Sequence, residues 1–202
     1  MSSNANKAGL RKWVQAALDS ALIDNIDFFY NGSRFSASDY MRVSQLVRKD
    51  IVHVGAKAMN KGVEAEYHNR SNTLFYKRYN YGLDLDEKGV IIHEATHCIL
   101  DIRMSKLSAI EEEVIAYIAE ASYVIAGADF VEDQSTPEGF ARWIAKNMWK
   151  NDPSHLGNAV PKLSSSSPEI ILLATMILNH PTYKYFHSRP AADYQNNGVK
   201  NA

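Results

Sequence analysis

The chain has 202 residues, 46% of them hydrophobic and 22% charged, which is enough for one domain, or a domain with an appendage, that buries a substantial core. A net charge of −1 lacks the electrostatic footprint of a nucleic-acid binder or of a protein held on an acidic membrane surface. A single cysteine, Cys98, excludes an internal disulfide and any cysteine-based zinc cluster, and it fits a reducing compartment.

No basic start followed by an apolar run opens the chain, so no secretory signal is expected and the cytoplasm is the default compartment; export without a classical signal is compatible with this. Leu10, Trp13, Val14, Ala17, Leu18 and Ala21 recur at steps of three and four, which predicts an amphipathic helix over 8–22. Ser36 with Asp39 resembles a capping start, and Tyr40, Val43, Leu46, Val47 and Ile51 continue a second helical stripe. The character then changes. Residues 51–54, 63–68 and 73–77 are short, β-branched or aromatic, and are separated by Gly55, Gly62 and a turn over 69–72. Val63, Ala65 and Tyr67 alternate with Glu64, Glu66 and His68, the period of a half-buried strand. Tyr76, Tyr79 and Tyr81 either line a cleft or pack beside this sheet.

Asp84 or Asp86 caps the next helix, which runs to about residue 104 and tolerates Gly89 in its first turns at a cost of about 1 kcal/mol. Another helix starts near Ser108, with Ile110, Val114, Ile115, Ile118 and Ile125 on its core side. Thr136-Pro137-Glu138 opens a third, with Phe140, Trp143, Ile144 and Met148 as its stripe. Residues 151–167, with Pro153, Gly157, Pro161 and a four-serine run, read as a loop or wrapping segment. Ser167-Pro168-Glu169 starts a last apolar helix to about residue 179; the apolar run over 170–178 is too short to span a bilayer, so no membrane insertion is expected. After Arg189 the chain is polar and expected to fray. The sum is an α+β fold, mostly helical, with a small and mainly antiparallel sheet. It reads as a single domain: N-terminal helices and first strand over 1–60, sheet edge and two central helices over 61–130, and a C-terminal helical subdomain and tail over 131–202.

The helix over 84–104 carries His93-Glu94-Ala95-Thr96-His97, the pattern His-Glu-x-x-His. Residues four apart share a helix face, so His93 and His97 can point at one metal ion. Glu94 lies about 100° round from His93, where a carboxylate can take a proton from water without ligating the metal. Val90, Ile91 and Ile92 before the motif, and Cys98, Ile99 and Leu100 after it, describe a buried helix rather than a solvated one.

Two histidines leave a catalytic zinc short of its usual three protein ligands. Cys98 neighbours His97 but sits about 100° off its face and reads as a small core residue. The next helix opens with Glu111-Glu112-Glu113, and acidic residues there also complement the helix dipole. That explanation serves Glu111 best and leaves Glu112 and Glu113 open. Ala116, three residues after Glu113, permits close helix approach, and the short connection over 104–108 makes the two helices antiparallel neighbours.

On these residues the chain resembles the zincin metallopeptidases of the gluzincin type. The extended zincin pattern asks for Val or Thr three before the first histidine and uncharged residues between and after the two; Val90, Ile91, Ala95, Thr96, Cys98 and Ile99 comply. Glu113-Val114-Ile115-Ala116 is similar to the Glu-x-x-Ala element of the following helix, so the resemblance implies Glu113 as third ligand, with Glu112 as runner-up. The chain departs at Tyr117, where better-known members place an Asp that orients a ligand histidine. Asp101, one turn after His97, is the candidate for that role here. The resemblance covers residues 63–121. It implies a zincin-like domain, Zn²⁺ as cofactor, and a peptide or protein substrate adding as a β-strand to a sheet edge at residues 73–76.

The cycle so implied has zinc on His93, His97 and Glu113 lowering the pKa of water to about 7, with Glu94 as general base. A further group would stabilise the oxyanion: Tyr117, Tyr123, His155, His180, Tyr183 and His187 are the candidates, with Tyr117, His180 and Tyr183 in front. The alternatives are a toxin-, effector- or cell-wall-type amide hydrolase with the same zinc site, and a scaffold protein whose helix carries the motif incidentally. Oligomeric state is not encoded in any feature of the sequence.

Overall fold

A computed structural model describes residues 3–128, 133–150 and 160–183, with Asn196, Gly198 and Val199. The elements in chain order are α1 (Ser3–Leu18), β1 (Asp27–Tyr30), β2 (Ser33–Ser36), α2 (Ala37–Arg48), β3 (His53–Ala56), β4 (Ala65–His68), β5 (Thr73–Tyr76), α3 (Leu85–Ile102), α4 (Ala109–Gly127), α5 (Pro137–Lys150), β6 (Lys162–Leu163) and α6 (Pro168–Asn179). The fold is α+β, as the sequence predicts, and the chain forms two units. None of the described helices is long and apolar enough to cross a membrane.

The first unit takes residues 1–21, 38–106 and 190–202. Helix α1 buries Leu10, Val14, Ala17 and Leu18 against β3 and α3 and leaves Trp13 partly exposed. Helix α2 buries Tyr40, Val43, Ser44, Leu46 and Val47 and stops at Arg48, so Ile51 lies beyond it rather than on its stripe. Asp50 turns the chain out of the helix at φ +58°, and the amides of Ile51 and Val52 donate back to the Leu46 carbonyl at 3.0 and 3.2 Å.

The three strands of this unit lie in the order β3-β5-β4. Here two expectations are corrected. The sheet is mixed, because β3 pairs β5 in parallel while β4 pairs it antiparallel. Strand β5 is the central strand, with Thr73 to Tyr76 paired on both sides, so residues 73–76 offer no free edge for a substrate strand. The reason is burial. Thr73, Leu74 and Tyr76 are all buried, whereas β4 carries Glu66 and an exposed His68 and keeps the outer position that polar residues tolerate. Of the three neighbouring tyrosines, Tyr76 and Tyr81 are buried and stacked at 5.1 Å, and Tyr79 is exposed.

The second unit takes residues 22–37 and 107–189. It holds a three-stranded sheet, β2-β1-β6, of which β1 and β2 lie before residue 51, where the sequence predicts no strand. Asn31 and Gly32 connect β1 and β2 with φ of +46° and +84°, the two positive values a tight hairpin needs, and Phe28 stacks on Phe35 across the pair at 5.4 Å. Strand β6 then pairs β1 in parallel, so part of the segment read as a loop over 151–167 is sheet; residues 151–159 lie outside the described residues. Helix α4 is buried at every position from Glu112 to Val124 and packs against both α5 and α6. Thr136 caps α5 by accepting from the Gly139 amide at 3.1 Å, as the Thr-Pro-Glu start predicts.

Candidate metal centre

Local chemistry sets the start of α3. The Asp84 side chain accepts from the Glu87 amide at 2.8 Å, and the Glu87 carboxylate in turn accepts from the amides of Gly82 and Leu83 at 2.7 and 3.0 Å and pairs with Arg78. Gly82 is required at the turn: its φ is +94°, and a Cβ there would lie 2.8 Å from Ile91 Cδ1 and 3.3 Å from Trp13 Cβ. Further along, Thr96 is fully buried. Its hydroxyl donates to the Ile92 carbonyl at 2.9 Å and accepts from the Tyr40 hydroxyl at 2.9 Å, joining the motif to α2. Burial raises the Tyr40 pKa above the usual tyrosine value, outweighing the opposite pull of the Thr96 bond.

On this frame His93 and Glu94 are buried and His97 is half-buried. The two imidazole rings have centroids 5.2 Å apart and planes inclined at 60°, so they share one face of α3 as the four-residue spacing predicts. Glu94 faces β4, where its Oε2 accepts from the Tyr67 amide at 2.6 Å. Asp101 is fully buried; its carboxylate accepts from the Tyr67 hydroxyl at 2.9 Å and from the Gly198 amide at 3.0 Å. That second bond, with Asn196 donating to the Ser105 carbonyl at 3.2 Å and Val199 buried, holds described residues of a tail that the sequence predicts to fray.

Within α4 the three adjacent acids do different work. Glu111 closes a capping box with Ser108, accepting from its amide at 3.0 Å and its hydroxyl at 2.8 Å. Glu112 and Glu113 are buried. Glu113 accepts a hydrogen bond from the Tyr183 hydroxyl, which is also 3.0 Å from the hydroxyl of Tyr117; the Tyr117 hydroxyl lies 3.3 Å from Glu138 Oε1. Burial first, then the charge of Glu113, pushes the Tyr183 pKa well above its usual value; burial and the charge of Glu138 do the same for Tyr117.

His93, His97 and Glu113 form a group that could hold a metal ion, each offering one ligand atom, and these atoms lie within 4.8 Å of one another. Two imidazole nitrogens and one carboxylate oxygen are a donor set suited to zinc or another first-row divalent ion. Glu112, the runner-up, is not in the group. Of the oxyanion candidates, Tyr117 and Tyr183 bond each other and two carboxylates, His180 places its ring 6.1 Å from that of Tyr183, and Tyr123 is buried. His155 and His187 lie outside the described residues. Sequence reasoning missed Tyr67 on Glu94 and Asp101, Tyr183 as a partner of Glu113, and Glu138 beyond its place at a helix start; the alternation that put the Tyr67 side chain on the inward face of its strand was the available signal for its contact with Asp101. No family model, curated protein or solved structure matches this chain.

Proposed function

We propose that this chain is a zinc-dependent hydrolase of peptide or other amide bonds, with His93, His97 and Glu113 as metal ligands and Glu94 as general base. The observation that carries the reading is the convergence of the three ligand atoms within 4.8 Å, with Glu94 next in sequence to His93 on the same helix. A metal bound there would supply a Lewis acid for the carbonyl oxygen and bring the pKa of water to about 7. Glu94 accepts the proton of the attacking water and passes it to the leaving amine, as a carboxylate placed one residue from a ligand histidine can do. Tyr183 keeps Glu113 oriented through its hydroxyl, and burial of His93, Glu94 and Glu113 excludes bulk water from the reacting groups.

The test is metal analysis of the untagged full chain, counting iron as well as zinc, because two imidazoles and a carboxylate also suit Fe(II). Stoichiometric zinc that is lost in His93→Ala is the expected result. Zinc below about a tenth of an equivalent, unchanged by His93→Ala, overturns the reading, and iron equally low leaves a scaffold protein. Hydrolysis of an internally quenched peptide library by the zinc-loaded chain, abolished in Glu94→Gln, is the expected activity.

A further inference from the structure

Tyr67 meets α3 at three places. Its amide donates to Glu94 at 2.6 Å, its hydroxyl donates to Asp101 at 2.9 Å, and the Cys98 thiol is hydrogen-bonded to the same hydroxyl. Residues 94, 98 and 101 stand at i, i+4 and i+7, so they form one stripe along two turns of the helix, adjoining the face that carries His93 and His97. Glu94 and Asp101 are buried carboxylates, for which a lost donor is costly.

The sheet register explains why the Tyr67 amide is available. Lys77 donates its amide to the Glu64 carbonyl at 3.0 Å, which makes 64 and 77 a hydrogen-bonded pair. Counting along the antiparallel register, Glu66 and Phe75 are the next hydrogen-bonded pair, and Tyr67 opposite Leu74 is a non-hydrogen-bonded one. The N–H of Tyr67 therefore points away from β5, off the outer edge of the sheet. A short edge strand gives such an amide no ladder partner; here it is spent on Glu94.

We propose that Tyr67 is the positioning residue for Glu94: its hydroxyl, anchored on Asp101, fixes β4 against α3 so that its outward amide holds the Glu94 carboxylate in one orientation. A carboxylate next to a ligand histidine can otherwise turn toward the metal and become a ligand itself, which would remove the base. The role given to Glu94 rests on the proposed function; the geometry of the clamp does not.

The experiment is nuclear magnetic resonance of the ¹⁵N-labelled full chain, following the amide of residue 67, beside kinetics of the zinc-loaded protein. In the wild type the short bond to a carboxylate places this amide proton downfield and slows its exchange with solvent. Tyr67→Phe removes the hydroxyl and keeps the amide. It is expected to move the residue 67 amide upfield, as Glu94→Gln should, and to speed its exchange on the order of tenfold or more. Zinc content should be unchanged, and kcat should fall on the order of tenfold at constant KM. Asp101→Asn weakens the same anchor from its other end and should act in the same direction, which keeps the test decisive if Tyr67→Phe does not fold. An amide that keeps its wild-type position and exchange rate in a folded variant, or an active wild type whose kcat is untouched by both substitutions, overturns the inference. A wild-type chain that binds zinc and cleaves neither peptides nor other amides overturns the proposed function instead, and the amide measurement then decides the clamp by itself.

Discussion

The hydroxyl of Tyr183 donates to the carboxylate of Glu113, and the same hydroxyl is 3.0 Å from that of Tyr117. A buried carboxylate held in this way would present its oxygen to a metal already oriented, so less ordering would be needed for an ion to bind. Tyr183→Phe should therefore weaken zinc binding by about 10- to 100-fold while leaving the ligand set intact. Competition against a chromophoric chelator measures this; an unchanged affinity would separate the tyrosine from the centre.

Glu112 and Glu113 are adjacent and both buried, yet only Glu113 belongs to the group with His93 and His97. Replacing each singly with Gln distinguishes a ligand from a neighbour. Glu113→Gln should lower zinc affinity by more than about a hundredfold, since a charged donor is exchanged for a neutral amide, whereas Glu112→Gln should alter it by less than about threefold. The reverse ranking, read by equilibrium dialysis, would transfer the ligand role to Glu112.

How far these residues could be read from the chain follows from how local their partners are. The helix α3 was legible because its cap, Asp84 on the amide of Glu87, and its two histidines all act over three or four residues. Glu111 was likewise legible as a cap through Ser108. The place of β5 was not, since strand order is decided by which strand buries most on both faces, a comparison among β3, β4 and β5 rather than a property of 73–76. The hold on Glu94 was invisible for a further reason: the donor is a backbone amide, and every residue but proline has one. The hairpin at Asn31-Gly32 is a different case, because two positive-φ residues between aromatic runs are a signal that sequence does contain.

Thr96, one of the two variable positions of the motif, has a structural task that can be measured. Its hydroxyl satisfies both the Ile92 carbonyl and the Tyr40 hydroxyl, each at 2.9 Å in the core. Thr96→Val keeps the shape and deprives Tyr40 of its acceptor, which should destabilise the fold by about 1–3 kcal/mol. The midpoint of urea unfolding reports the loss, and Tyr40→Phe in the same background should recover part of it. No recovery would mean that the two hydroxyls are not coupled.

Alkaline pH gives a test of burial by sign alone. Tyr30, Tyr40 and Tyr76 are buried hydroxyls whose pKa values burial raises, that of Tyr30 to about 12 with help from the charge of Glu111. In the unfolded chain each ionises near the ordinary tyrosine value of about 10. The unfolded state therefore releases protons first as the pH rises, and it is the unfolded state that gains. The contribution of these groups to stability is complete below about pH 10 and is lost as the pH climbs through the folded values. Urea midpoints should stay flat with respect to these tyrosines up to about pH 9.5 and then fall, with tyrosinate absorbance from the buried set appearing in the same cooperative step as the loss of helical circular dichroism. Tyr30→Phe should blunt the fall, because it removes a group that the unfolded chain can ionise before the folded one. If Tyr30→Phe left the alkaline limb unchanged, or if every tyrosine ionised near pH 10 with the helices intact, the burial of these hydroxyls would be refuted.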